Sequence, residues 1–322
     1  MSVEKNNNET KDNKGMATPD SHWNIMGHIP LWFGISLLLM LPGIVAMIIS
    51  TVQIGTPLRM GLDFTGGSLV QLRFPKPVTL EQMKEVMHSQ KLEGQVQTSQ
   101  GNVLMIRTKP LDPKTTDKFM SATQAKLGNF TKERLETVGP TVGAELVRNA
   151  LYAVLIAFIG IIGYVAFRYQ FDFALCAIAA TAHDLIIMLG IFAILGLSPL
   201  HVEIDSLFIT ALLTVAGFST HDTIVIFDRF RENLRYAKKG DTFSQIANIS
   251  VNQTFHRSIN TSVTVILSLL PLVLFGGGSI FYFTLAMLIG VISGTYSSIF
   301  NASPLLVVWR DWGKKKQETA KA

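Results

Sequence analysis

Hydrophobic positions in this chain gather into six long runs instead of alternating evenly along it. The runs are Leu31–Thr51, Asn149–Phe167, Phe173–Leu197, Ser206–Phe227, Ile259–Phe275 and Ile280–Trp309. Each has about the twenty apolar residues that cross a hydrocarbon layer of about 30 Å. The pattern therefore predicts six membrane-crossing helices. The last run is the longest, and Pro304 is expected to end or kink it, because proline has no N–H and crowds the preceding turn.

Between the first and second runs, over residues 52–145, the pattern changes to that of a soluble domain. Leu69-Val70-Gln71-Leu72-Arg73-Phe74 alternates like a half-buried strand. A helix opens at Thr79-Leu80-Glu81-Gln82, with Thr79 or a neighbour as its cap and Met83, Val86 and Met87 on one face. Two strands follow, near Gln95–Thr98 and Val103–Arg107, with a turn at Gly101-Asn102. A second helix runs from Pro113 to about Leu127, where Gly128 ends it, and a last strand covers Thr131–Val138. The order β-α-β-β-α-β predicts an α+β, ferredoxin-like domain. "GLDFTGGS" (Gly61–Ser68) precedes it. Its two glycines fit a tight turn or bulge, and no Gly-Lys-Ser or Gly-Lys-Thr follows to make a phosphate loop.

Charge adds orientation to this picture. Only 16% of residues are charged, against about 25% in soluble domains. Arg168, the group Arg229, Arg231, Arg235, Lys238, Lys239 and Arg257, and the group Arg310, Lys314, Lys315 and Lys316 all fall on one side of a six-span chain. The positive-inside rule makes that side cytoplasmic, and explains the net charge of +5 without nucleic acid. Both termini are then expected inside, and residues 52–145 outside. The plan is a polar disordered tail (1–30), helix 1 (31–51), an extracytoplasmic domain (52–145), helices 2–6 (146–309) and a basic tail (310–322). Too much polar sequence precedes the first run for a cleaved signal peptide. The single cysteine, Cys176, lies in the third run and supports neither an intrachain disulfide nor a thiol metal site.

Three polar positions interrupt the apolar runs: His183-Asp184, His221-Asp222, and Arg257 just ahead of the fifth. Ionisable groups within spans are costly and mark function by default. Asp222 is six residues before Asp228, so roughly 9 Å deeper along a helix. A carboxylate at that depth needs a partner or takes up a proton. Arg257, Thr261, Thr264 and Ser268 form one stripe at i, i+4, i+7 and i+11. Proton-coupling candidates are Asp222, Arg257 and Asp184, with His221, His183 and Thr261 as helpers. The competing reading is that these polar groups only join helices by hydrogen bonds. His221 points about 100° from Asp222 and suits a helper or a packing role. Ala286, Gly290, Gly294 and Ser298 form a ridge of small residues that admits a close neighbouring helix. No HExxH, CxxC pair, Gly-x-Ser-x-Gly elbow or ATP-binding motif occurs, so no enzyme, metal or cofactor is expected. Energy must come from a partner or an ion gradient.

"GLDFTGGSLVQLRF", "AHDLIIMLGIF", "HDTIVIFDRFREN" and "NQTFHRSINTSVTV" occur in that order, with one span before an outer domain and five after it. In this the chain resembles the SecF branch of the SecD/SecF family of protein-export membrane proteins, within the resistance–nodulation–division superfamily. The resemblance implies a SecD partner and association with the SecY/SecE/SecG translocon in the bacterial inner membrane. SecA acts upstream, and exported unfolded polypeptides are the clients. It also implies use of the proton motive force, with Asp222 the proton-responsive acid, Arg257 implicated and Asp184 less defined. The residue before the motif Asp is often Asn in the family, and here it is His221. The expected mechanism alternates Asp222 between a protonated form and an ionised form near Arg257, each favouring a different helix packing. A small-molecule efflux transporter and a non-conducting translocon assembly factor stand as the alternatives.

Overall fold

The computed structural model describes residues 23–99 and 102–319. A 3-10 turn, Met26–His28, leads into α1 (Ile29–Ile54). Next come α2 (Leu62–Thr65), β1 (Gly67–Arg73), α3 (Leu80–Ser89), β2 (Gly94–Ser99), β3 (Val103–Thr108), α4 (Pro113–Leu127) and β4 (Thr131–Val138). The long helices α5 (Pro140–Arg168), α6 (Phe171–Leu197), α7 (Ser206–Arg235), α8 (Phe243–Phe275) and α9 (Gly278–Ser297) follow. A π turn, Ser298–Ala302, then joins α9 to α10 (Ser303–Thr319). Among the described residues six helical stretches are long and apolar enough to cross a membrane.

Two compact units result: Met60–Ala153 with Glu203–Ser206, and the described residues within Met1–Arg59, Val154–Val202 and Leu207–Ala322. In the first, every element follows from local chemistry. Thr79 accepts the Gln82 amide (3.3 Å), while the Gln82 side chain accepts the Thr79 amide (3.0 Å). This reciprocal capping box starts α3 where the sequence places it. Asp112 accepts the Thr115 amide (3.3 Å) and Pro113 takes the first position of α4, which Gly128 ends at φ 87°. The four strands form one antiparallel sheet in the order β2-β3-β1-β4, with a register shift in β1 between Gln71 and Leu72. Val70, Leu72 and Ile106 on the sheet pack with Met83, Val86 and Phe119 from the two helices, all fully buried.

The two glycines of "GLDFTGGS" answer to backbone geometry. Gly66 and Gly67 have φ of 68° and 122°, and a Cβ on Gly67 would sit 2.7 Å from the Thr108 carbonyl oxygen. Asp63 is more than a turn residue. Its carboxylate accepts the Ser206 amide (2.9 Å) and the Ser206 hydroxyl, at the first residue of α7. A carboxylate there satisfies helix N–H groups that have no partner within the helix.

The membrane-helix unit is built around α6, whose inner face is buried along most of its length. Gly43 of α1 crosses Gly190 of α6 so closely that a Cβ on either would lie 2.5–2.6 Å from the other's Cα. Small residues of this kind let membrane helices meet backbone to backbone. At one end of the bundle Phe173, Phe227, Phe230 and Phe243 form a buried aromatic group. There Arg310 pairs with Asp172 (2.6 Å) and lies over the Phe173 and Phe243 rings.

Three boundaries differ from expectation. Of the predicted disordered tail, residues 1–22 lie outside the described residues, as does Gly101 of the predicted turn. Trp23–His28, however, are held: Trp23 exchanges two hydrogen bonds with the Asn252 side chain, and Asn248 accepts the Ile25 amide (2.9 Å). Burial of Ile25 and Met26 accompanies this. Helix α8 starts at Phe243, well before Ile259, because Thr242 and Gln245 form a second capping box. The last span does not stop at Pro304. The missing N–H there is accommodated by the π turn immediately before it, and α10 continues.

Candidate functional site in the helix bundle

The polar residues of α6, α7 and α9 meet inside the second unit. Asp184 on α6 is fully buried and receives four donors. Oδ1 takes the His183 Nδ1 (3.0 Å) and the Ser293 hydroxyl (2.7 Å); Oδ2 takes Ser219 (2.6 Å) and Ser297 (2.6 Å). Ser293 and Ser297 are four apart on α9, so one helix face presents both. Gly294, between them, clears the way: a Cβ there would meet Ser219 at 3.2 Å and Asp184 Oδ2 at 3.6 Å. A buried carboxylate with two donors on each oxygen is a satisfied one, and each donor removed leaves a costly gap.

Asp222 lies on α7 and is 5% exposed. It accepts the hydroxyl of Ser298, the first residue of the π turn. Adjacent residues Ser297 and Ser298 thus serve different acids. The same two helices meet along the small-residue ridge, where a Cβ on Gly290 would overlap the Val215 side chain. The ridge therefore packs within the chain. Thr181 and Thr220 add a hydroxyl pair between α6 and α7 (3.0 Å), and Ser262 and Thr295 another between α8 and α9.

His183 turns its second ring nitrogen to Asn301 of the π turn (Nε2 to Nδ2, 3.1 Å). Asn301 Oδ1 accepts the Ser36 hydroxyl of α1 (2.7 Å). The Tyr296 hydroxyl lies 3.2 Å from Ser36 and donates to the Trp32 carbonyl (2.9 Å).

Of the residues singled out from sequence, the fold brings together Asp184, His183 and Asp222. His221 is exposed on the other side of α7, where it lines a cavity with Tyr164, Ile161 and Gly160 of α5. Arg257 is exposed on α8 and forms no ion pair with Asp222 among the described residues. Helix geometry gives the reason: α8 turns Ser258 inward, so Arg257 one residue earlier faces away. Thr261, Thr264 and Ser268 share that outer face and bond to their own helix carbonyls. The serines on Asp184 and Asp222 were not among the candidates. For Ser293, Ser297 and Ser298 the signal is "SGTYSSIFNAS" (Ser293–Ser303), too dense in small polar residues for a lipid-facing segment, whereas Ser219 on α7 had none.

Comparison with known proteins places these features in a family context. Residues 118–312 match the model of the protein export membrane protein SecD/SecF C-terminal region, and residues 53–78 match the SecD/SecF GG motif. A protein translocase subunit SecF from Thermobaculum terrenum is 43% identical over 295 residues, spanning 86% of this chain and 90% of that relative. A protein translocase subunit SecDF from Bacillus subtilis is 35% identical, covering 96% of this chain and 41% of its own length. Among solved structures, SecDF from Thermus thermophilus, described as a translocon-associated membrane protein, superposes with a TM-score of 0.79 at 32% identity. It covers 91% of this chain, which spans 39% of that one.

Proposed function

The chain belongs to the SecD/SecF family of protein-export membrane proteins, as a SecF-like multi-pass subunit, and we propose that it couples proton movement to polypeptide export. It works beside SecD, which relatives carry in the same chain. In this reading the pair sits on the SecY/SecE/SecG translocon of the inner membrane and draws unfolded chains across after SecA has inserted them. Both termini, with residues 1–30 and 310–322, are cytoplasmic. The domain over residues 52–145 is ferredoxin-like and extracytoplasmic, and handles the emerging chain. The orientation is supported by the cluster of Arg168, Asp228, Arg231, Asp172 and Arg310 at one end of the bundle.

One observation carries the proton reading: Asp222, buried among helices, has its hydroxyl partner Ser298 on a π turn whose Asn301 also bonds His183, the neighbour of Asp184. π turns inside helices are frequent at functional sites. Proton loss from Asp222 places a charge where α7 meets the π turn, and the helix packing that best accommodates it differs from the neutral one. Arg257 is the partner of the ionised acid in that second packing, reached by movement of α8. The test is proton flux in proteoliposomes holding the chain with its SecD-type partner. Wild-type flux that Asp222→Asn abolishes supports the reading; equal flux in both contradicts it.

A further inference from the structure

Resting on that proton-coupled reading, we propose that His183 is a second proton-accepting group, and that Asn301, Ser36 and Tyr296 form a hydrogen-bond chain that reverses direction when it is protonated. The observed arrangement fits the neutral ring. Asp184 can only accept, so Nδ1 carries hydrogen; Nε2 is then bare and accepts from the Asn301 amide. Asn301 Oδ1 in turn accepts from Ser36, and Tyr296 gives its hydrogen to the Trp32 carbonyl.

Now a proton is added at Nε2. Both ring nitrogens become donors, so Asn301 must present Oδ1 to Nε2 and Nδ2 to Ser36. Ser36 accepts that bond and swings its own hydrogen to the Tyr296 oxygen, 3.2 Å away, while Tyr296 keeps its bond to Trp32. Every group is satisfied in both states, and the single added proton rests on the ring.

The surroundings name few competitors. His183 faces Asp184 from its own helix and the Tyr296 ring from α9, with centroids 6.3 Å apart. From α1 it faces Ser36 and apolar Phe33, Leu37 and Met40, none of them titratable. Asp222 is held through Ser298, not through the ring. A crevice of about 240 Å³, lined mostly by apolar side chains such as Phe33, Leu37 and Met40, reaches His183, Asn301 and Ser36. Asn301 belongs to the same π turn as Ser298, so a turn of its amide acts on the segment that holds Asp222.

The experiment is nitrogen NMR of histidine-labelled chain co-assembled with its SecD-type partner, from pH 8 to pH 5, with His183→Gln identifying the resonance. The expected result is an Nδ1–H ring at pH 8 and a doubly protonated ring at pH 5. Asn301→Leu displaces that transition by about half a pH unit, the difference between its charge-assisted bond to the charged ring and its ordinary bond to the neutral one, and Ser36→Ala displaces it by less. A ring that keeps one state across the range, an Nε2–H ring at pH 8, or a transition indifferent to Asn301→Leu overturns the proposal. Absent wild-type proton flux would instead overturn the function on which it rests, and the resonance reports independently of that.

Discussion

Ser297 and Ser298 are neighbours in the chain and donate to different carboxylates, Ser297 to Asp184 (2.6 Å) and Ser298 to Asp222. Two successive residues of a regular helix point about 100° apart. Here that divergence spans two acids on two helices, and the π turn begins between the donors.

Replacing the donors separates their roles. Ser297→Ala leaves Asp184 with three donors and is expected to lower stability by about 0.6–1.7 kcal/mol, the range for hydrogen bonds between membrane helices. Asp184→Ala leaves Ser219, Ser293, Ser297 and His183 without their acceptor and costs more, about 3 kcal/mol or above. Unfolding in mixed detergent micelles measures both. Equal losses for the two variants would show that the four donors do not act on a common acceptor.

The crossing of α1 and α6 is set by two glycines. Gly190→Ala puts a methyl 2.5 Å from the Gly43 Cα, which forces the backbones apart. A loss of about 1–3 kcal/mol follows. Gly34→Ala and Gly217→Ala meet nothing within 4 Å and serve as controls, expected to be neutral or slightly stabilising. Thermal unfolding in detergent that ranks the three alike would contradict the crossing.

Asp63 caps the start of α7. Asp63→Ala removes both bonds to Ser206 and is expected to cost about 1 kcal/mol. The Ser206 amide then exchanges with solvent several-fold faster, while Asp63→Asn, which keeps an acceptor, recovers part of the protection. Unchanged exchange at Ser206 would refute the cap.

Acid should reach one helix cap in a known order. The Thr115 hydrogen bond holds the Asp112 carboxyl below its ordinary value. A carboxylate lowered on folding contributes stability above its unfolded value and loses it as pH falls through the folded one. The α4 start should therefore loosen only below the usual carboxylate range. The Thr115 amide shift follows that titration in the wild type and stays flat in Asp112→Asn; the reverse would be inconsistent with the cap.

Much of this was legible in the residues themselves. The strands and helices between Gly67 and Val138 announced themselves through alternation, Thr79 and Gly128, because their signals are local. Asp184 and Asp222 stood out because acids are rare in apolar runs. Their partners did not, since a serine is unremarkable in a membrane helix until the packing brings three onto one carboxylate. The outward direction of Arg257 was hidden for a related reason: spacing along α8 showed which residues share a face, and not which way that face turns. The π turn had only Pro304 as a trace.

Export itself is the most direct measure. With the chain, its SecD-type partner and the translocon in vesicles, the gradient-stimulated part of translocation is compared between wild type and Asp222→Asn. Loss of that part, at least about tenfold or 1.4 kcal/mol in barrier terms, with the complex still assembled, is the predicted result. Wild-type stimulation in the Asp222→Asn complex would contradict proton coupling through this acid.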